Sequence, residues 1–141
     1  MKVTLERVSE FNLRNLLGHD TPEDIVRAHA DCIRRSNCIW LGRADGIDAC
    51  AAGLIPATLF DPEPYLWMIS TRLAESHPFL FARWSRKVVA EILDLYPSII
   101  GLCHCDNDSG RRWLEWLGAR FDDFHPANDH IGFRIAKWQQ Q

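Results

Sequence analysis

The sequence has little of what marks a disulfide scaffold, a membrane span or a nucleic-acid-binding surface. Its five cysteines are odd in number and include no CxxC pair, which argues against oxidised pairing and for a reducing compartment. The longest uncharged apolar run, residues 49–55, is far too short to span a bilayer. Residues 1–6 lack the hydrophobic region of a signal peptide, so we expect no secretion by that route. A net charge of −3 gives no general sign of nucleic-acid or anionic-membrane binding.

What is present is typical of a soluble globular domain. The chain has 141 residues, of which 47% are hydrophobic and 25% are charged, so we expect one domain over residues 1–141 with a full core. The fragment Cys103-His104-Cys105 has the residue types of a metal site. On a strand, however, His104 points away from the two thiols, and no second Cys/His pair lies at zinc spacing. We therefore predict no metal site.

Hydrophobic periodicity predicts an α/β chain with the element order β-α-α-β-β-β-α-β-α-β-β. The predicted strands are 2–8, Cys38–Gly42, Ile47–Leu54, Tyr65–Ile69, Ser98–His104, Phe121–Phe124 and His130–Ala136. The predicted helices are 10–17, capped by Ser9 and ended by Gly18; 21–35, with Pro22 at its first position; 78–96; and 107–117. Asp45-Gly46 between apolar runs predicts a hairpin. The strands around helix 78–96 read as buried on both faces, which predicts a mixed sheet with a central parallel pair.

The helix over residues 107–117 carries the most specific local pattern. Residues 107–119 read Asn-Asp-Ser-Gly-Arg-Arg-Trp-Leu-Glu-Trp-Leu-Gly-Ala, in which Asn107 can cap the helix, Gly110 can pack closely and Gly118 can end it in a left-handed conformation. This segment, together with the element order, resembles the GNAT superfamily of acetyl-CoA-dependent N-acetyltransferases. The resemblance implies that acetyl-CoA binds between the fourth and fifth strands. It implies contacts from the residues Ile69, Ser70, Thr71, Arg72 and Asn107.

Two departures from the family pattern bear on that cofactor. The turn over residues 70–78 contains no glycine, it carries Glu75 near the expected phosphates, and Pro78 brings no N–H donor. The helix position where many relatives place a proton-donating Tyr is Leu114. Both departures favour a degenerate acetyl-CoA site. The alternative is an active N-acetyltransferase with a divergent pyrophosphate turn, in which His104 and Glu63 are the candidate catalytic residues.

A narrower resemblance concerns the C-terminal pattern. A polar turn, an aromatic-containing helix, a Gly-Ala ending and a two-strand tail are similar to small GNAT-like proteins of short-tailed bacteriophages, including internal virion proteins. This resemblance implies a virion-associated or accessory component located in the virion or the host cytoplasm, with other virion proteins as partners. Arg111, Arg112 and Trp116 are the candidate partner-binding residues, with ordinary solvated charges as the alternative interpretation of the two arginines.

Overall fold

The computed structural model describes residues 2–60, 62–122 and 129–137. Its strands are β1 (Val3–Arg7), β2 (Cys38–Ala44), β3 (Ile47–Ile55), β4 (Tyr65–Ser70), β5 (Ser98–His104), β6 (Arg120–Phe121) and β7 (His130–Ala136). Its helices are α1 (Arg14–Leu17), α2 (Glu23–Arg35), α3 (Arg72–Glu75), α4 (Pro78–Leu93) and α5 (Asp108–Trp116). The predicted order is therefore present, with α3 as an additional helix.

The strands form a seven-stranded sheet in the order β1-β2-β3-β4-β5-β7-β6. β4 and β5 are parallel, with Tyr65 opposite Ile100. The pairs β1–β2, β2–β3, β5–β7 and β6–β7 are antiparallel. The predicted fold class, a mixed α/β sheet with a central parallel pair, is confirmed.

The chain divides into two compact units, which are described separately; the prediction of one domain stays a prediction. The first unit comprises Met1–Pro56 and Leu66–Trp84. Its hairpin has the predicted turn, with positive φ angles of 51° at Asp45 and 78° at Gly46, as a type I′ turn requires.

Two helix starts in the first unit differ from the prediction. α1 has four residues and begins after Leu13, so the prediction that Ser9 caps a helix over 10–17 is wrong. Asn12 is the local cause, because its side-chain oxygen accepts the Arg14 N–H at 3.1 Å and so turns the chain there. In α2, Pro22 occupies the capping position and Glu23 is the first helical residue.

Two tryptophans pack against glycines in the core of this unit. The ring of Trp67 covers Gly53, and the ring of Trp84 covers Gly42, where an added Cβ would lie 2.5 Å from the Trp84 ring. Trp67 Nε1 donates to Ser36 Oγ at 2.6 Å. The strand glycines are therefore required by the close approach of indole rings.

The second unit comprises Ala57–Tyr65 and Ser85–Gln141. Its strands β5, β7 and β6 carry α5, and Trp113 Nε1 donates to the buried hydroxyl of Ser85 at 3.1 Å. α4 ends at Leu93 rather than at Tyr96, where the chain tightens into a turn in which Leu95 N–H donates to the Ile92 carbonyl three residues back.

The last strands also differ in extent from the prediction. β6 spans Arg120–Phe121 instead of Phe121–Phe124, and residues 123 and 124 lie outside the described part of the chain. β7 has the predicted bounds. No helix within the described ranges is both long and apolar enough to cross a membrane.

Candidate functional site

The segment after β4 is the expected pyrophosphate turn, and its hydroxyl groups are engaged within the chain. Thr71 donates both its backbone N–H, at 3.1 Å, and its hydroxyl, at 2.6 Å, to the carbonyl of Ala49. The Ser70 hydroxyl lies 3.4 Å from the Glu75 carboxylate, to which it can only donate. Ile69, the strand residue before them, is buried. The side chains expected to replace a glycine-rich cradle therefore already have acceptors.

Part of the backbone of the same segment is also engaged, because the segment folds into the one-turn helix α3. Glu75 N–H donates to the Thr71 carbonyl at 3.0 Å, Ser76 N–H to Arg72 at 2.9 Å, and His77 N–H to Ala74 at 3.0 Å. The N–H groups of Glu75, Ser76 and His77 thus close an intrachain helical turn. The first-turn N–H groups of Arg72, Leu73 and Ala74, the type that a helix N-terminus presents to an anion, have no acceptor among the described residues.

Packing explains why the segment folds in this way. Ala74 is buried in a cluster with Ala49, Cys50 and Trp84, so the small residue in α3 lets the turn lie against the β3 core. At the end of α3, His77 Nδ1 lies 3.0 Å from the Leu73 carbonyl. Because a carbonyl only accepts, this contact places a proton on Nδ1 of His77.

Arg72 is the one sequence-predicted residue of the turn with an unengaged side chain. Within the described ranges, its guanidinium has no hydrogen-bond or ion-pair partner, and the residue is exposed. It can attract a phosphate or a carboxylate. It shares the turn with the opposing charge of Glu75, which weakens that attraction.

The second unit holds Asn107, which acts as the cap of α5. Its side-chain oxygen accepts the backbone N–H of Gly110 at 2.9 Å, as the sequence predicted. A side chain at Gly110 would overlap with the Asn107 carboxamide, which explains the glycine. The predicted left-handed ending at Gly118 is confirmed by its φ of 99°.

Leu114 stands at the helix position where the resemblance to the GNAT superfamily leads us to expect a proton-donating Tyr. Its side chain is 3% exposed, so it belongs to the core under α5. An apolar side chain in this place supplies no proton. A donor in this unit would have to be another residue.

His104, at the end of β5, is the candidate donor with a defined proton position. Asp106 N–H donates to His104 Nδ1 at 3.1 Å; since an amide N–H only donates, Nδ1 carries the lone pair and Nε2 carries the proton. His130 lies opposite on β7, with ring centroids 5.0 Å apart and an interplanar angle of 78°. In the neutral His104 ring, the N–H is therefore at Nε2, the nitrogen that does not contact the loop after β5.

Glu63, the other candidate catalytic residue, is held in an ion pair. Arg134 donates to both Glu63 oxygens, from Nε at 2.7 Å and from Nη2 at 2.6 Å, and Ser98 donates at 2.6 Å. The hydrogen bond from Arg134 is the main cause that lowers the pKa of Glu63. A carboxylate in this setting is a weak proton acceptor.

The predicted partner-binding residues on α5 differ in their surroundings. Arg111 pairs with Glu115 at 3.2 Å, and its guanidinium lies 4.7 Å from the Phe121 ring centroid. Arg112 is exposed and has no side-chain partner in the described ranges. Trp116 is 49% exposed, with Arg86 stacked over its ring at 4.4 Å. Sequence reasoning missed Arg86, because only the fold brings α4 beside α5.

The cysteines are all unpaired. Burial raises the pKa of the Cys50 thiol to about 11 and also raises that of Cys103. In the part of the chain that is described, no group of three or more His, Cys, Asp or Glu side chains could hold a metal ion.

Solved structures with the same fold are acetyltransferases. An IAA acetyltransferase from Bacillus cereus is similar over 96% of this chain and 99% of its own, with a TM-score of 0.69 and 15% identity. A Desulfovibrio desulfuricans structure assigned to the GNAT family covers the same shares with a TM-score of 0.68 and 18% identity. A Bacillus subtilis acetyltransferase in complex with CoA does so with a TM-score of 0.68 and 15% identity.

These likenesses establish the class of fold. The chain has the fold of the GNAT-family acetyltransferases, as the sequence predicted. No protein-family model and no curated protein matches the sequence.

Proposed function

We propose that this chain is a GNAT-fold protein with a degenerate acetyl-CoA site, which acts as an accessory component and not as an acetyltransferase. The observation that carries the proposal is the intrachain hydrogen bonding of the turn after β4. Its N–H groups at Thr71, Glu75, Ser76 and His77 already donate to carbonyls of the chain. This engagement supports a turn that offers a pyrophosphate fewer donors than the glycine-rich cradle that the family resemblance implies.

A pyrophosphate that used the N–H groups of Thr71, Glu75, Ser76 or His77 would replace intrachain hydrogen bonds that each contribute about 0.5–1.5 kcal/mol to stability. Glu75 adds a negative charge to the same segment, and Pro78 has no N–H to offer. Arg72 remains as a single cation, which is one contact where a cradle supplies several.

Calorimetric titration with acetyl-CoA tests the proposal. We expect no saturable binding at ligand concentrations up to about 1 mM, which corresponds to a binding free energy weaker than about −4 kcal/mol. Arg72→Ala is the informative variant, and Arg83→Ala, at another exposed arginine of the same unit, is its matched control. A dissociation constant of tens of micromolar that weakens in Arg72→Ala but not in Arg83→Ala would refute the proposal.

The place of action is a second part of the proposal. The resemblance to small GNAT-like proteins of short-tailed phages supports a component of the virion or of the infected host cytoplasm, with other virion proteins as partners. A search for this sequence within prophage or phage genomes, followed by mass spectrometry of purified, nuclease-treated particles from such a phage, tests this. Recovery of the chain at a constant ratio to the capsid protein is expected, and its absence from the particles would contradict a structural role.

The alternative function is an active N-acetyltransferase, and the geometry of His104 favours it. The Nε2–H group of His104 can donate a hydrogen bond to a leaving thiolate, which the buried Leu114 cannot. An assay of acetyl-CoA-dependent thiol release with a panel of amines tests this function. Turnover that is lost in His104→Gln and kept in His130→Gln would establish it, whereas no turnover with any amine supports the accessory role.

A further inference from the structure

One face of the second unit exposes hydrogen-bond donors that have no protein acceptor among the described residues. This donor patch consists of Arg86 on α4 and of Arg112 and Trp116 on α5, with Arg86 stacked over the Trp116 ring at 4.4 Å. Arg112 and Trp116 are four residues apart on one helix and so lie on the same face. All three residues are exposed.

The donor patch contains two positively charged side chains, those of Arg86 and Arg112. Across the described ranges, neither guanidinium has a carboxylate partner and the Trp116 N–H has no acceptor. Stacking occupies the flat face of the Arg86 guanidinium and leaves its in-plane N–H groups free. On α5, Asp108 lies four residues before Arg112 and Glu115 three residues after it; Glu115 pairs with Arg111 at 3.2 Å, and no ion pair joins either carboxylate to Arg112 in the described ranges.

We infer that the donor patch binds an acidic segment of a partner protein, through Asp or Glu carboxylates that Arg86 and Arg112 engage. Charge complementarity supports this occupant, because the patch is a local cluster of cations on a chain whose net charge is −3. Arg and Trp are also the residue types that dominate interface energies. A nucleic acid is disfavoured, since two arginines do not form the continuous basic track that a phosphate backbone requires. The inference rests on the proposed accessory function and names the chemistry of its partner.

Fluorescence anisotropy with the intact chain tests the inference. The probe is a labelled decapeptide of alternating Glu and Asp, and a Gln/Asn decapeptide of the same length is the control. We expect saturable binding of the acidic probe only, weakening as salt rises. Arg112→Ala should weaken binding about tenfold, the loss expected for one charge-assisted contact.

Lys87→Ala is the matched control, because it removes one positive charge from the exposed position next to Arg86 on α4 while leaving the donor patch intact. It should change the affinity less than about twofold. Arg86→Lys keeps the charge but loses the planar fork, and should weaken binding like Arg112→Ala. Circular dichroism melts establish that each variant is folded.

Several outcomes would overturn the inference. They are equal binding of the two peptides, equal losses in Lys87→Ala and Arg112→Ala, tighter binding of a single-stranded oligonucleotide at the patch, or self-association that depends on Trp116. Titration of the same preparation with acetyl-CoA separates the two proposals. If both acetyl-CoA and the acidic peptide bind, only the proposal of a degenerate site is refuted. If neither of them binds, only the inference about the donor patch is refuted.

Discussion

Gly53 lies beneath the indole ring of Trp67, and one added methyl group there tests how β4 is held before the turn. In Gly53→Ala, the new Cβ would overlap with the ring atoms Cζ2, Cε2 and Nε1 of Trp67. The ring cannot move away freely, because its N–H donates to Ser36 Oγ at 2.6 Å and Ser36 in turn donates to the Cys32 carbonyl at 2.6 Å.

The sign of the effect depends on two opposing contributions. At a backbone that tolerates alanine, Gly→Ala stabilises by about 0.4–1 kcal/mol through the unfolded chain, and Gly53 has no left-handed φ to forbid it. Overpacking costs about 1–3 kcal/mol. If Trp67 shifts, the lost hydrogen bond adds about 1 kcal/mol. We therefore expect a net destabilisation of about 1–3 kcal/mol, or a fall in Tm of roughly 4–12 °C.

Urea denaturation followed by circular dichroism measures this change, and a double-mutant cycle with Trp67→Phe is its control. The smaller ring lacks the overlapping atoms, so Gly53→Ala should be neutral or stabilising in that background. The single variant Ser36→Ala measures separately how much the hydrogen bond from Trp67 Nε1 to Ser36 Oγ contributes to the free energy of unfolding. A Gly53→Ala variant as stable as the parent, or one that is equally destabilised beside Phe, would refute the packing argument.

Three further predictions follow from the caps, thiols and ion pairs. Asn107→Ala should lower the free energy of unfolding by about 1 kcal/mol in urea titrations while Asn107→Asp keeps it, because an oxygen that accepts the Gly110 N–H suffices; equal losses would contradict the cap. Iodoacetamide at pH 8 should label the exposed Cys105 well before Cys50, whose pKa burial raises to about 11; equal labelling rates in a mass-spectrometric time course would show that Cys50 is accessible. The lowered pKa of Glu63 stabilises the fold above the ordinary pKa of the group and loses this effect as pH falls through the folded pKa, so Glu63→Gln should cost more at pH 7 than at pH 3. That difference should be under about 1 kcal/mol because the pair is largely solvated, and identical costs at both pH values would contradict it.

Local chemistry along the sequence determined the elements themselves. The Asp45-Gly46 hairpin and the Asn107 cap depend on residues within a few positions of one another, so their side-chain types and spacing suffice to predict them. The buried strand pair around α4 was predictable for the same reason, since a crossover of that length yields parallel strands. The fold class follows from these local choices in their order.

Tertiary structure alone decided the state of the candidate site. The helix α3 depends on Thr71 bonding to the Ala49 carbonyl, 22 residues away, and Glu63 is engaged by Arg134 across 71 positions. No local pattern encodes such contacts, because the partner of a side chain is chosen by which strands become neighbours. The sequence therefore named the residues of the turn and of the helix α5, while the packed chain decided which of their polar groups are already satisfied and which are left to bind another molecule.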